Sequence, residues 1–169
     1  MIMRLATIPN SLSDRRRWIA LAIICLGQLM IMVDGTIVNV ALPTIQRDLN
    51  FNPANLTWVV NAYLITYGSL VLLAGRAGDL VGRKKVFLTG VVLFTVASLL
   101  CGLAQDPVLL VAARFLQGAG AALSAGVVIA LIVTGFVEPG ERAQAMSVFT
   151  FTIAGGGSLG LLAGGVLIQ

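Results

Sequence analysis

Two ionisable side chains stand inside long apolar runs of this chain: Asp34 in IMVDGTIVNVALP and Arg114 in LLVAARFLQGAGAALSAG. They have opposite charge, and each lies about two turns from the same end of its run. At ~1.5 Å per residue both sit ~10 Å deep. A charge inside a bilayer costs at least ~2.5–3.5 kcal/mol on insertion scales, so it faces a partner or a cavity. Two chemistries fit the pair. One is a static ion pair that fastens the first run to the fourth. The other is a carboxylate that takes up and releases a proton, with a pairing that changes with conformation. Desolvation favours the neutral acid and a nearby guanidinium favours the anion.

Gln117 shares a helical face with Arg114, followed by Gly118, Ala121, Ala122 and Ala125. That face is polar at one end and small along the rest, which suits a cavity wall with room for a neighbouring helix. Close packing by small residues accounts for the Gly and Ala. It does not account for Arg114 and Gln117 beside them. In TIAGGGSLGLLAGGVL, Gly156, Gly160 and Gly164 recur every four residues with Gly165 alongside, a backbone groove suited to very close helix contact. In GRAGDLVGRKK, Gly75, Gly78 and Gly82 punctuate a loop carrying Asp79, Arg83 and Lys84. A solvated basic loop explains the bases. The acid among glycines suggests a tight turn that holds Asp79 against Arg83 or a helix N-terminus.

The elements that position these groups follow from composition. Charged residues make up 11% of the 169, and mean hydropathy is +0.98. An ordinary soluble domain carries about 25% charged residues, so this chain lacks the means to cover a water-facing surface. Charge-poor runs at about 18–41, 56–74, 86–103, 108–134 and 145–168 are each long enough for a bilayer core of ~30 Å. They lack the alternation of a membrane barrel, and backbone in lipid must satisfy its own hydrogen bonds, so helices follow. The expected fold is an all-α membrane protein of five transmembrane helices. Residues 1–17 form a cytoplasmic N-terminal tail, and 18–169 form one transmembrane unit, an incomplete six-helix half.

Of the Lys and Arg outside the spans, nine lie in the tail, the second loop and the fourth loop, and Arg47 alone lies on the other side. That bias predicts a cytoplasmic N-terminus in a cell (inner) membrane. The first run continues past Asp34 to Pro43 without a small-residue cleavage site, so it reads as a span and not a removed leader. Cys25 and Cys101 fall in apolar runs and read as small buried hydrophobes, with no metal-ligand spacing. The chain has no His and no nucleophile–base constellation, and no basic platform for nucleic acid, so neither an enzyme nor a nucleic-acid binder is expected.

Four stretches, in order, resemble the major facilitator superfamily, and more narrowly its drug:proton antiporters of the fourteen-span EmrB/QacA type. VDGTIVNVALPTI resembles the first-span motif of that subfamily. GRAGDLVGRKK resembles the superfamily loop motif G-x-L-A-D-R-x-G-R-K. LLVAARFLQGAGAA resembles the fourth-span motif L-x-x-x-R-x-x-Q-G-x-G-A-A. GGGSLGLLAGG resembles the fifth-span antiporter motif G-x-x-x-G-P-x-x-G-G. Leu80 stands where the loop motif has Arg, and Leu161 where the antiporter motif has Pro.

The resemblance implies proton-coupled efflux of hydrophobic or cationic drugs, with no cofactor beyond the proton gradient. Asp34 would be a proton or substrate-coupling site and Arg114 the cavity base that responds to it. Asp79 and Arg83 would latch a cytoplasmic gate. Gly156, Gly160, Gly164 and Gly165 would pack two halves that rock between states. The implied partners are the lipid bilayer, protons, a small substrate and the remainder of the transporter. Because the superfamily's half has six spans, this chain alone is expected to be an inactive N-terminal portion. The rival readings are a non-transporting truncated or accessory membrane protein, and a facilitator that carries an anionic metabolite.

Overall fold

The structure, a computed structural model, describes residues 11–167; the surroundings of 11–13, 163–164 and 166–167 lie outside the described residues. It is all helical: α1 (Ser11–Asp48), α2 (Pro53–Leu56), α3 (Trp58–Ala77), a five-residue π-turn (Gly78–Gly82), α4 (Arg83–Gly102), α5 (Pro107–Gly135) and α6 (Pro139–Leu167). Among the described residues, four helical runs are long and apolar enough to cross a membrane: Asp14–Asp48, Pro53–Gly102, Pro107–Gly135 and Pro139–Leu162.

The second of these has 50 residues. Laid straight, it would reach ~75 Å, more than twice a bilayer core. It does not run straight. Gly82 takes φ +108°, ψ 123°, and the chain folds back there. Contacts along α5 give the directions. Gly118 meets Tyr63 and Gly126 meets Val71 and Ala74, so α3 runs parallel to α5. Gly120 meets Phe94 while Ser124 meets Gly90, so α4 runs antiparallel to it.

The conformation of Gly82 suits glycine alone, since a Cβ is strained there. Nothing lies within 4 Å of where a Cβ would stand, so the strain is in the backbone and not in packing. Gly82→Val is therefore expected to cost about 1–3 kcal/mol. Gly102→Ala, equally uncrowded and at ordinary φ, should be neutral or slightly stabilising. Unfolding of both variants in mixed detergent micelles, followed by circular dichroism, checks the contrast.

The helices fall into two groups. In the first, α5 is the axis, with α3 and α4 on either side. Where they cross, glycine lets backbones touch: a Cβ on Gly90 would lie 2.5 Å from Ser124 N, and one on Gly126 2.6 Å from Val71 O. In the second, α1 and α6 run parallel. Gly156 lies on Leu29 and Met32, Gly160 lies on Val33 and Thr36, and Arg17 bonds Glu141 at 3.0 Å.

The groups meet through apolar packing. Leu21, Ile24 and Cys25 of α1 join Phe87 of α4, Val127, Val128 and Ile132 of α5, and Ala145 and Phe149 of α6 in one buried cluster. The outward faces carry bare apolar side chains such as Leu72 (84% exposed) and Phe151 (80%). Such a coat is costly in water and favourable in lipid. The chain is a multi-pass membrane protein.

Helix ends depart from the hydropathy boundaries. The helix α1 starts at Ser11, within the expected tail, and runs through Pro43 to Asp48, well past residue 41. Residues 1–10 of that tail lie outside the described residues. Hydropathy marks where lipid surrounds a helix. The helix itself continues until its last carbonyls find other donors, which water supplies beyond the bilayer.

Candidate functional site: a buried acid, guanidinium and amide between two helix groups

Arg114 is placed by the start of α5. The Asp106 carboxylate caps that helix, accepting from Leu109 N at 2.9 Å, and Pro107 occupies its first turn. Two turns on, Arg114 is buried at 3% exposure. A glycine explains how close its neighbours come. A Cβ on Gly118 would lie 2.5 Å from the Tyr63 carbonyl oxygen, so α3 and α5 cross almost backbone to backbone. Arg114 Nε then reaches across to donate to the Val59 carbonyl at 3.0 Å. The Tyr63 ring lies below the guanidinium, 4.5 Å from Cζ to centroid, and stacks on Tyr67 at 6.0 Å.

From the other helix group comes Asp34. Its Oδ2 accepts from Arg114 Nη1 at 2.9 Å, and its Oδ1 accepts from Gln117 Nε2 at 2.7 Å. The Gln117 oxygen accepts from Arg114 Nη1 at 2.6 Å and from the Cys101 thiol at 3.5 Å. This ring of bonds fixes the amide, with its oxygen toward the guanidinium and its nitrogen toward the acid. Arg114 and Gln117 are fully buried, and the Asp34 side chain keeps 16% exposure because it borders a cavity of about 250 Å³. A larger groove of about 370 Å³ between Phe51, Trp58, Pro107 and Phe115 is almost wholly apolar and holds none of these groups.

The arrangement can do two things. It ties α1 to α5 by a charge-assisted contact in a low-dielectric setting. It also makes that tie depend on the charge of Asp34, since the Gln117 amide carries none and the Arg114 guanidinium keeps its own.

The other sequence-derived positions fall in two further places. At the end of the bundle that carries Arg17 and Arg142, the π-turn brings Asp79 Oδ1 to Arg83 Nη2 at 2.9 Å, while Arg83 Nη1 donates to the Ala130 carbonyl at 3.4 Å. Gly75 packs by Gly126 and Gly78 by Val127, while Gly82 makes the reversal described above. Lys84 is exposed. Along α6, Gly156 and Gly160 are occupied by α1 of the same chain, and Gly165 has open space beside it. Gly164 lies outside the described residues.

Three contributors had no signal in the sequence: the Val59 carbonyl, the Tyr63 ring and the Cys101 thiol. Composition had placed Cys101 with Cys25 as a plain core residue; Cys25 is one, and Cys101 is half-buried against Gln117. A further cluster forms at the Arg17 end, where Arg17 joins Asp14 and Glu141 and lies over Phe136, itself packed edge-on by Trp18 at 5.2 Å. Asp14, Arg17 and Trp18 lie 118 residues or more from Phe136 and Glu141, so spacing alone does not reveal it.

The chain is similar in sequence to proteins described as antibiotic resistance, export or MFS-type transporter proteins. It is 47% identical over 156 residues to the puromycin resistance protein pur8 of Streptomyces alboniger, covering 92% of this chain and 31% of that protein. It is 44% identical over 150 residues to the uncharacterized MFS-type transporter EfpA of Mycobacterium tuberculosis, covering 88% and 28%. With the cephamycin export protein CmcT of Amycolatopsis lactamdurans it shares 41% over 150 residues, covering 89% and 31%. The chain thus spans about a third of the length of these relatives. The family model described as Major Facilitator Superfamily matches residues 24–169, and the helices fit an N-terminal part of that fold. With the match covering most of the chain, including both sides of the Asp34–Arg114 contact, this protein belongs to the Major Facilitator Superfamily.

Proposed function

We propose that this chain forms part of an antibiotic exporter that expels hydrophobic or cationic compounds in exchange for inward protons, with Asp34 as the coupling acid. The observation that carries the reading is the buried contact of Asp34 with Arg114 and Gln117, made between two helix groups and bordering a cavity. The names of similar proteins (puromycin resistance, cephamycin export) support the cargo class.

A proton on Asp34 removes the charge that holds Arg114, and differential affinity for the proton is what lets the gradient bias one conformation over another. We place the Arg17, Arg83 and Arg142 end in the cytoplasm of a fourteen-span transporter in the cell membrane, since that end carries nearly all the bases. There the Asp79–Arg83 pair would serve the gate, and the open side of Gly165 would receive a further helix. Alternating access rocks two repeats about a central site, so the 169 residues alone are proposed not to transport.

The anionic-cargo reading has less support, because Arg114 already spends its donors on Asp34, Gln117 and the Val59 carbonyl. In proteoliposomes of the full-length transporter carrying this segment, Asp34→Asn should abolish drug-driven proton movement, read with an internal pH dye. Normal flux in that variant would remove Asp34 from the mechanism.

A further inference from the structure

The bonds around Asp34 offer a proton a lone pair but no acceptor. Oδ2 faces a guanidinium N–H at 2.9 Å and Oδ1 faces an amide N–H at 2.7 Å, so both oxygens meet donors. Arg114 has no acceptor to offer. The Gln117 oxygen already takes Arg114 at 2.6 Å and the Cys101 thiol at 3.5 Å. An O–H formed on the remaining lone pair of either oxygen finds no free acceptor within the ring. The neutral acid therefore needs an acceptor from outside the ring.

The space beside it is the cavity of about 250 Å³, bounded by Val38 and Ile45 of α1, Ser98 and Cys101 of α4 and Leu110 of α5. Every one of these lies on one side of Asp34. Val38 and Ile45 lead toward the Asp48 end of α1. Cys101 is in the last turn of α4, and Leu110 comes a turn before Arg114 near the capped start of α5. The volume holds several waters at ~30 Å³ each. The Ser98 hydroxyl, which makes no hydrogen bond with any described residue, lines the cavity and can accept from a protonated acid. Other ionisable groups near Asp34 are Arg114 on α5, Tyr63 on α3 and Cys101 on α4; α6 approaches this stretch of α1 with Gly160.

We propose that Asp34 exchanges its proton through this cleft, which lies between α1 and the α4–α5 pair, with the Asp48 and Asp106 end of the bundle, and that Ser98 is the positioning residue that accepts from the neutral acid. A hydronium proton passes along water in the cleft to an Asp34 oxygen, leaving water and a neutral carboxyl. The route rests on the reading of Asp34 as the titrating group. It adds an entry for the proton that is separate from any path the drug takes between two halves.

Cys101 in the wall is a built-in reporter. The full-length transporter carrying this segment, with Cys25 and any cysteine outside the segment replaced by Ala so that Cys101 is the sole thiol, is placed in lipid vesicles whose orientation is read from an N-terminal tag. A small membrane-impermeant methanethiosulfonate is expected to label Cys101 several-fold faster from the side away from the N-terminus. Asp34→Asn, which stands in for the neutral acid, should raise that rate several-fold, and Leu110→Trp, which fills the cleft, should lower it. Equal labelling from both sides, faster labelling from the N-terminal side, none from either side, or indifference to Asp34→Asn overturns the route. Should Leu110→Trp fail to fold, Ser98→Cys in the transporter freed of every other thiol must reproduce the sided pattern. Labelling needs no transport, so loss of efflux with the pattern intact counts against the exporter reading alone, and efflux with the pattern missing counts against the route alone.

Discussion

Gly120→Leu is expected to prevent α4 and α5 from docking, at a cost of about 3 kcal/mol or more. A Cβ at Gly120 would lie 2.5 Å from Phe94 N, 2.8 Å from Phe94 Cα and 2.9 Å from Gly90 O. All three are backbone atoms, which cannot rotate aside as a side chain can. Gly90 has the reciprocal contact, 2.8 Å from a would-be Cβ to Gly120 O, so the two glycines form one crossing. Without side-chain hydrophobicity to drive association in lipid, helices hold together by such close packing. Separating them would loosen Phe94 and Ala121, which are buried together beside it. Gly157→Leu is the control, because nothing lies within 4 Å of its would-be Cβ. Fraction folded against denaturant in mixed micelles should collapse for the first variant and barely move for the second. Similar curves would mean that the crossing is looser than these distances say.

Arg114→Met should be nearly as damaging, by about 3–5 kcal/mol, because it leaves a buried carboxylate with no counter-charge. Asp34 would keep only the Gln117 amide, and Tyr63 would lose the cation above its ring. The informative measurement is the double variant. With Asp34→Asn added, no buried anion remains, and most of the lost stability should return. Arg114→Lys should fall between, since a single ammonium cannot reach the Val59 carbonyl and Asp34 with the fork geometry of a guanidinium. If the double variant is no better than Arg114→Met alone, the cost lies in lost packing around Tyr63 and not in the ion pair.

These two variants also divide what was legible from what was not. The matched depth and opposite sign of Asp34 and Arg114 could be read from their positions in two apolar runs, because rise per residue is constant and lipid penalises any lone charge. The glycines of α5 could be read as small-residue packing positions. Which helix each one admits could not. Gly118 faces α3 and Gly120 faces α4, two residues apart, since successive positions on a helix point in different directions. Gly156 and Gly160 looked equally suited to any neighbour, and they are taken by α1. The helix α1 runs past the apolar run for a different reason. Hydropathy reports the solvent around a residue, while helix length depends on backbone hydrogen bonds that persist outside lipid.

The sequence by itself determined that this chain is helical, lies in a membrane, carries its bases at one end and holds two opposed charges at one depth. Each of these follows from a one-dimensional quantity: run length, charge count, or distance along a helix. Only the tertiary structure decided that the Gln117 amide closes the ring with its nitrogen toward Asp34. It alone placed a backbone carbonyl, an aromatic face and a thiol around Arg114 and Gln117, and set the adjoining cavity beside Asp34. Those groups come from helices far apart in the chain, and hydrogen-bond direction exists only once their atoms are fixed in space. That direction is what leaves a proton on Asp34 without an acceptor in the ring.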